Sequence, residues 1–442
     1  MKYLIIAIAA GLLFIPFLGA VPLVAPQEAH LAAAAWDMIM NGHYAMPPAD
    51  LNPDYTPPLF LWLQAGSMAV FGNSAFAARF PNAIIGILTL LTGYAISQKA
   101  GDERLGAWWA LVYAACWLPH LLFKSGMTAP LFNYFFFLFI YCAYRINYST
   151  APMRPVILSG VCLGLAMLTQ GPAVLILGLL VLLFCWIASK GSLPVKAGQL
   201  AMLVLCACLP TAIWLSYAGF AYGWAPVMAF LRHQLGLQAI AGHWYNSAYF
   251  YYRVLWAGSF PACIFLFNYL RGRKPAMSVY SAAQPLELKD LKTWMWVLLW
   301  VSLLAWPSSL CCLPLSFLAA WQVYRLAEGR QHLLGWNVGL LLLTGILIGI
   351  ALMLLPLAGV YRTALLPYAQ DPFLRARLQA NVSWSLWETG YGLLYIILVV
   401  MSGVLLLQRK YRGGLLCLFI STLVTIQLTL WHFIPKLLAV SF

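Results

Sequence analysis

Apolar residues run along this chain in long blocks, separated by short polar or Pro/Gly-rich breaks. A helix needs roughly 20 mostly apolar residues to cross a hydrocarbon core about 30 Å thick. On that measure spans are expected near 3–23, 80–98, 105–122, 129–146, 156–169, 172–189, 199–219, 248–270, 293–306, 309–324, 333–357, 387–407 and 414–434. The pair around 306–309 is short for two full crossings. The first block lacks a small-residue cleavage site and leads straight into further spans, so it reads as a retained helix rather than a removed signal. The pattern predicts an all-α polytopic membrane protein of about 13 helices.

Composition agrees. Of 442 residues, 63% are hydrophobic and 8% charged, far from a water-exposed domain with about 25% charge. The formal net charge of +14 would point to nucleic acid in a soluble protein; here it reads as topology, and no nucleic-acid partner is expected. With the N-terminus inside, 17 of the 25 basic residues fall on the inner side, including Lys2, Arg104 and Arg409–Arg412. That asymmetry predicts an inner (cytoplasmic) membrane protein with a cytoplasmic N-terminus and an extracytoplasmic C-terminus. No span centre holds a charge and no internal repeat is visible, which argues against an ion-coupled transporter. All ten Cys lie in apolar stretches without zinc or disulfide spacing, so they read as core residues.

Three outer segments exceed a turn: 24–78, 220–247 and 359–386. In the first, Glu28–Met40 reads as an interfacial helix, prolines break it, and LFLWLQAGSMAVFG reads as a second helix on the membrane surface. Glu28 and His30 are candidates for an acid/base pair or part of a divalent-metal site. Being two apart on a helix they point in different directions, and Glu28 equally suits a helix N-terminus. Lys124, Arg232 and Arg253 stand at outer helix ends, placed to bind a lipid phosphate or to snorkel to headgroups. His233 and His243 occupy the second outer loop as surface residues or ligands, and Tyr245–Tyr252 reads as an aromatic belt.

An ordered series of motifs covers about residues 1–325: APQEAHLAAAAWDMIMNGHY, YTPPLFLWLQAGSMAVFG, SAFAARFPNAIIGILTLL, FKSGMTAPLFNYFFF, LTQGPAVLILG, YFYYRVLWAGSFPACIFL and SLCCLPLSFLAA. The series resembles the polytopic glycosyltransferases of the GT-C class, in their aminoarabinose transferase and protein O-mannosyltransferase branch. The resemblance implies a GT-C-like core over 1–325 with outer loop 24–78, followed by C-terminal spans over 326–442 with outer loop 359–386. It also implies transfer of a sugar from a polyprenyl-phosphate donor to a lipid or protein acceptor on the extracytoplasmic side.

The sequence departs from the family where the family keeps its charges. The leading Asp-Glu pair is Gln27-Glu28, Glu-Lys-Pro-Pro is Tyr55-Thr56-Pro57-Pro58, the acid before the fourth span is missing from Met127–Pro130, and Lys-Gly-Pro is Gln170-Gly171-Pro172. Gln27 cannot take up an acceptor's proton, which leaves Glu28 as the candidate base and Lys124 with Arg232 and Arg253 as phosphate ligands. His30, Tyr55, His233 and His243 are candidate lining residues. Two readings follow: an active transferase, or a catalytically degenerate relative that serves as a lipid-binding or assembly subunit beside a membrane-protein partner. No certain cofactor is indicated, and a divalent metal is the one candidate, with weak support.

Overall fold

In the computed structural model the described residues are 1–23, 25–47, 55–100, 102–189, 196–235, 255, 257–271, 286–304, 309–368, 375, 379 and 382–438. Among them the chain is helical, without a strand. Its principal helices are α1 (Lys2–Phe14), α2 (Pro26–Asn41), α3 (Pro58–Phe71), α4 (Ala75–Lys99), α5 (Glu103–Ala114), α6 (Trp117–Phe123), α7 (Ala129–Arg145), α8 (Met153–Gln170) and α9 (Ala173–Ala188). They continue as α10 (Ala197–Tyr222), α11 (Trp224–Leu235), α12 (Ala262–Arg271), α13 (Leu286–Leu304), α14 (Cys312–Ala327), α15 (Gly335–Val360), α16 (Thr389–Leu407) and α17 (Tyr411–Leu428).

Eight described helices are long and apolar enough to cross a membrane, or nine if α5 and α6, bent by 74° to each other, form one span. Three shorter apolar helices, α1, α3 and α9, stand beside them. The expected figure of 13 is therefore not established. The first helix stops at Phe14 instead of running to residue 23, because Pro16 and the left-handed Phe17 (φ 63°) turn the chain. The segment judged short, 309–324, extends to Ala327 and is the most deeply placed span, with 94% of its apolar window inside the protein. Only 22% of α10 and 28% of α15 are so enclosed, which leaves their apolar flanks to lipid.

Packing around α14 is aromatic and close. Trp109 of α5 donates its indole N–H to Ser316 Oγ at 3.0 Å and meets Phe317 edge-on at 4.9 Å. Between α8 and α10, Gly160 and Gly164 form a small-xxx-small stripe. A Cβ at either would lie 2.5 or 2.6 Å from the carbonyl oxygens of Leu203 and Ala207, so the two backbones meet only because both residues are glycine.

Polar ties sort the helix ends into two groups. Lys2–Glu103 (2.6 Å), Arg104–Glu328–Arg412 (3.3 and 2.9 Å) and Tyr148–Asp290 (2.5 Å) join one set of ends. Glu28–Arg79, Lys124–Pro16, Asn133–Ser309 and Lys436–Glu388 join the other. These are the two sides that the charge pattern separates, and Glu28, Tyr55, Met127 and Gln170 lie on the second, here called the first-loop end.

Candidate functional site at the first-loop end

Helix α2 opens with Pro26 at its first position, where the missing N–H costs nothing. Gln27 and His30 then face outward and Glu28 turns in, only 5% exposed. Opposite it stands Arg79 on the first turns of α4, a helix capped by the Ser74 hydroxyl accepting from Ala77 N–H at 3.2 Å. Arg79 donates through Nε and Nη2 to the two oxygens of Glu28 at 2.8 and 2.9 Å. Its other N–H groups go to the carbonyls of Leu18 (2.8 Å), Val21 (2.6 Å) and Pro22 (3.1 Å). All five donors of the guanidinium are thereby used, and the link from α1 to α2 is wrapped around it.

The same carboxylate holds a second link. Gly126 N–H donates to Glu28 Oε1 at 2.6 Å, and a Cβ at Gly126 would crowd Glu28 Cγ at 3.1 Å. One turn along α4 from Arg79, the Asn82 amide donates to the carbonyls of Ser125 and Met127, both at 2.7 Å. Gln64 of α3 bonds the Ala78 carbonyl at 2.9 Å. Glu28 is thus held by three donors in a buried frame.

Further amides join the remaining motif segments. Gln170 Nε2 donates to Thr128 Oγ1 at 3.2 Å. Gln234 of α11 donates to the Tyr55 carbonyl at 3.1 Å and lies so near Gly171 (φ 97°) that a Cβ there would meet its Oε1 at 2.3 Å. Tyr55 and His233 pack ring against ring at 5.0 Å. Asn133 Nδ2 bonds Ser309 Oγ at 2.7 Å. First loop, 125–130, 170–172, α11 and the turn before α14 therefore meet at one end, joined largely by side-chain amides.

Lys124 caps the last turn of α6. It donates to the Pro16 carbonyl at 2.9 Å and lies 5.9 Å from the centre of the Trp431 ring. Burial lowers its pKa from the ordinary 10.5 to about 8. One of its three donors is engaged there, which leaves the ammonium able to bind an anion. Arg232 lies exposed on α11, and no described contact joins it to Lys124. Arg253, His243 and the Tyr245–Tyr252 run lie outside the described residues.

Glu28 is buried and His30 exposed, and no group of three His, Cys, Asp or Glu gathers among the described residues. Asp37, the other described acid of the first loop, is engaged by Asn41 (2.5 Å) and His43 (2.7 Å).

Sequence reading passed over Arg79, Asn82, Gln64 and Gln234. The one available signal was a guanidinium on the threshold of an apolar span, which demands a partner. It also passed over Glu388, whose Oε1 meets Lys436 at 2.5 Å and His432 at 3.4 Å while Trp384 stacks on Phe433. That cluster pins the end of the last loop to the π-helical turn Thr429–Phe433 after α17.

No curated protein sequence matches the chain. Residues 55–214 match the family described as dolichyl-phosphate-mannose-protein mannosyltransferase. The structure resembles that of ArnT from Cupriavidus metallidurans bound to undecaprenyl phosphate, with a TM-score of 0.68 and 15% identity over 97% of this chain and 76% of that one. The apo form of the same protein gives 0.65 and 16% over the same shares. At such identity the likeness is one of fold. The resemblance read from the motifs is borne out, and the chain is a multi-pass membrane protein with the ArnT-like fold of the GT-C glycosyltransferases.

Proposed function

We propose that this chain binds a polyprenyl phosphate at its first-loop end through Lys124, and that it is a catalytically degenerate relative of the transferases, acting as a lipid-binding or assembly subunit. Glu28 carries the argument. Inverting transfer needs a carboxylate free to take the acceptor's proton as the acceptor atom bonds to the sugar's anomeric carbon, the C–O bond to phosphate breaks and the phosphate leaves with the electron pair. The oxygens of Glu28 are held instead by Arg79 and the Gly126 N–H, and its neighbour Gln27 is an amide. The cationic half of the family's chemistry has a better candidate. The Lys124 ammonium keeps donors to spare at the same end of the fold, and ArnT, which shares that fold, has been solved with undecaprenyl phosphate bound.

An active transferase is the second reading, favoured by that same cation, since a phosphate leaving group needs one. The protein in lipid nanodiscs separates the two. Under the proposal, undecaprenyl phosphate binds and no sugar passes from a polyprenyl-phosphate donor to lipid or protein acceptors. Transfer that disappears in a normally folded Glu28→Gln variant would establish the enzyme, and absence of carrier binding would dismiss both readings.

A further inference from the structure

The end of the bundle opposite Lys124 carries a cavity that carrier binding does not use. It has a volume of about 330 Å³ and lies between Leu326, Ala327 and Gly329, at the end of α14, and Arg409–Gly413, where α16 turns into α17. Arg409, Lys410 and Arg412 are all exposed at its rim. Arg412 is fixed in place, donating from Nε to the Ala327 carbonyl and from Nη2 to Glu328 Oε1, both at 2.9 Å. Glu328, the carboxylate beside it, is also engaged by Arg104 at 3.3 Å. No ion pair involves Arg409 or Lys410 among the described residues, so the rim keeps an excess of positive charge.

The backbone supplies an independent observation. Arg409 has φ 62°. Its N–H closes on the Leu406 carbonyl at 3.1 Å, and the Lys410 N–H closes on Leu405 at 2.9 Å. This is the helix-ending pattern in which glycine is the usual residue. A long cationic side chain held in the left-handed region is strained, and such outliers cluster at ligand sites. The first N–H groups of α17 open into the same turn and add partial positive charge.

Apolar surface adjoins the rim. Leu407 ends α16 and Leu416 lies on the early turns of α17, 60% and 42% exposed. Tyr411 OH and His332 Nδ1, 3.3 Å apart, bring the start of α15 alongside, with exposed Trp336 at its first turn. A tryptophan there suits the headgroup level of a bilayer.

We propose that this cavity binds the phosphodiester headgroup of an anionic phospholipid, with its acyl chains along the exposed flanks of α16 and α17. Guanidinium and ammonium groups recognise phosphate by charge-assisted hydrogen bonds, and basic pockets between membrane helices bind such headgroups. Because α16 and α17 run the length of the bundle between this turn and the Glu388–Lys436 end, the site stands apart from Lys124 and does not depend on the carrier.

Thermal unfolding of the full chain in a neutral detergent tests the proposal. Added phosphatidylglycerol should raise the midpoint by several degrees more than equal phosphatidylcholine does, and the difference should shrink with salt. Arg409→Gly/Lys410→Gln should abolish that difference. Arg409→Gly alone, which relieves the left-handed backbone, should unfold without lipid at the same temperature as the parent or higher. A phosphatidylglycerol effect that survives in the double variant, or one matched by phosphatidylcholine, overturns the site. A shift reproduced by glycerol 3-phosphate overturns the lipid in favour of a soluble phosphate.

Discussion

Glu28 and Arg79 form a two-toothed ion pair, 5% and 7% exposed, that fastens the first loop to the fourth helix and leaves the guanidinium without a spare donor. A residue that reads as a candidate base in the sequence is, in three dimensions, the centre of a clamp on two links, at Leu18–Pro22 and at Gly126.

The clamp makes a prediction about Glu28→Gln that differs from the one for a base. Losing a general base slows transfer by a factor of about 10²–10⁴ and leaves stability alone. Removing one partner of a buried pair strands the other charge and costs about 3–5 kcal/mol. Glu28→Gln and Arg79→Gln should each lower the unfolding midpoint in detergent markedly. The double variant should be less damaged than the sum of the two, by about 0.5–3 kcal/mol, because the pair is lost only once. Full stability in Glu28→Gln would remove the clamp.

Lys124 should give carrier binding a pH dependence. The protonated ammonium binds phosphate, and burial holds its pKa at about 8 instead of 10.5. Polyprenyl-phosphate affinity should therefore fall as pH rises through about 8, where an ordinary lysine stays charged. Stability should move the other way. Between about 8 and 10.5 the unfolded chain binds a proton that the native state has released, so this residue's contribution rises with pH across that window. Lys124→Gln should lose about ten-fold in affinity, the worth of a charge-assisted contact, and flatten the profile. A profile of the same shape in Lys124→Gln would assign the titration elsewhere.

Helix α3 has two faces with different duties. Leu61 is fully buried, while Val70 is 74% exposed at the far end of the helix. Leu61→Asp should abolish folding outright, since an unpaired carboxylate in an apolar core costs well over about 4 kcal/mol. Val70→Asp should fold normally and weaken only contact with the membrane surface. Abundance and detergent stability of the two variants check this; equal damage would mean that α3 is covered on both sides.

Much of the fold was legible in the sequence because membrane helices satisfy their own backbone and must be apolar over a fixed length. The blocks at 129–146, 156–169 and 333–357 became helices with little change, and 309–324 gained a turn. What misled was local: Pro16 and Phe17 end the first helix early, and the break at 115–116 bends another span. Hydropathy counts apolar residues and is blind to such turns.

The sequence by itself determined that this is a helical membrane protein, which ends gather its basic residues, and that its motifs follow the order of a GT-C glycosyltransferase fold. These are properties of composition and order along the chain. Only the tertiary structure decided what Glu28 touches. Its partners, Arg79 and Gly126, lie 51 and 98 residues away, and hydrogen bonds over that separation leave no periodic trace. Whether a carboxylate is a free base or a bound anchor depends on which donors surround it, and those donors are set by how the helices pack.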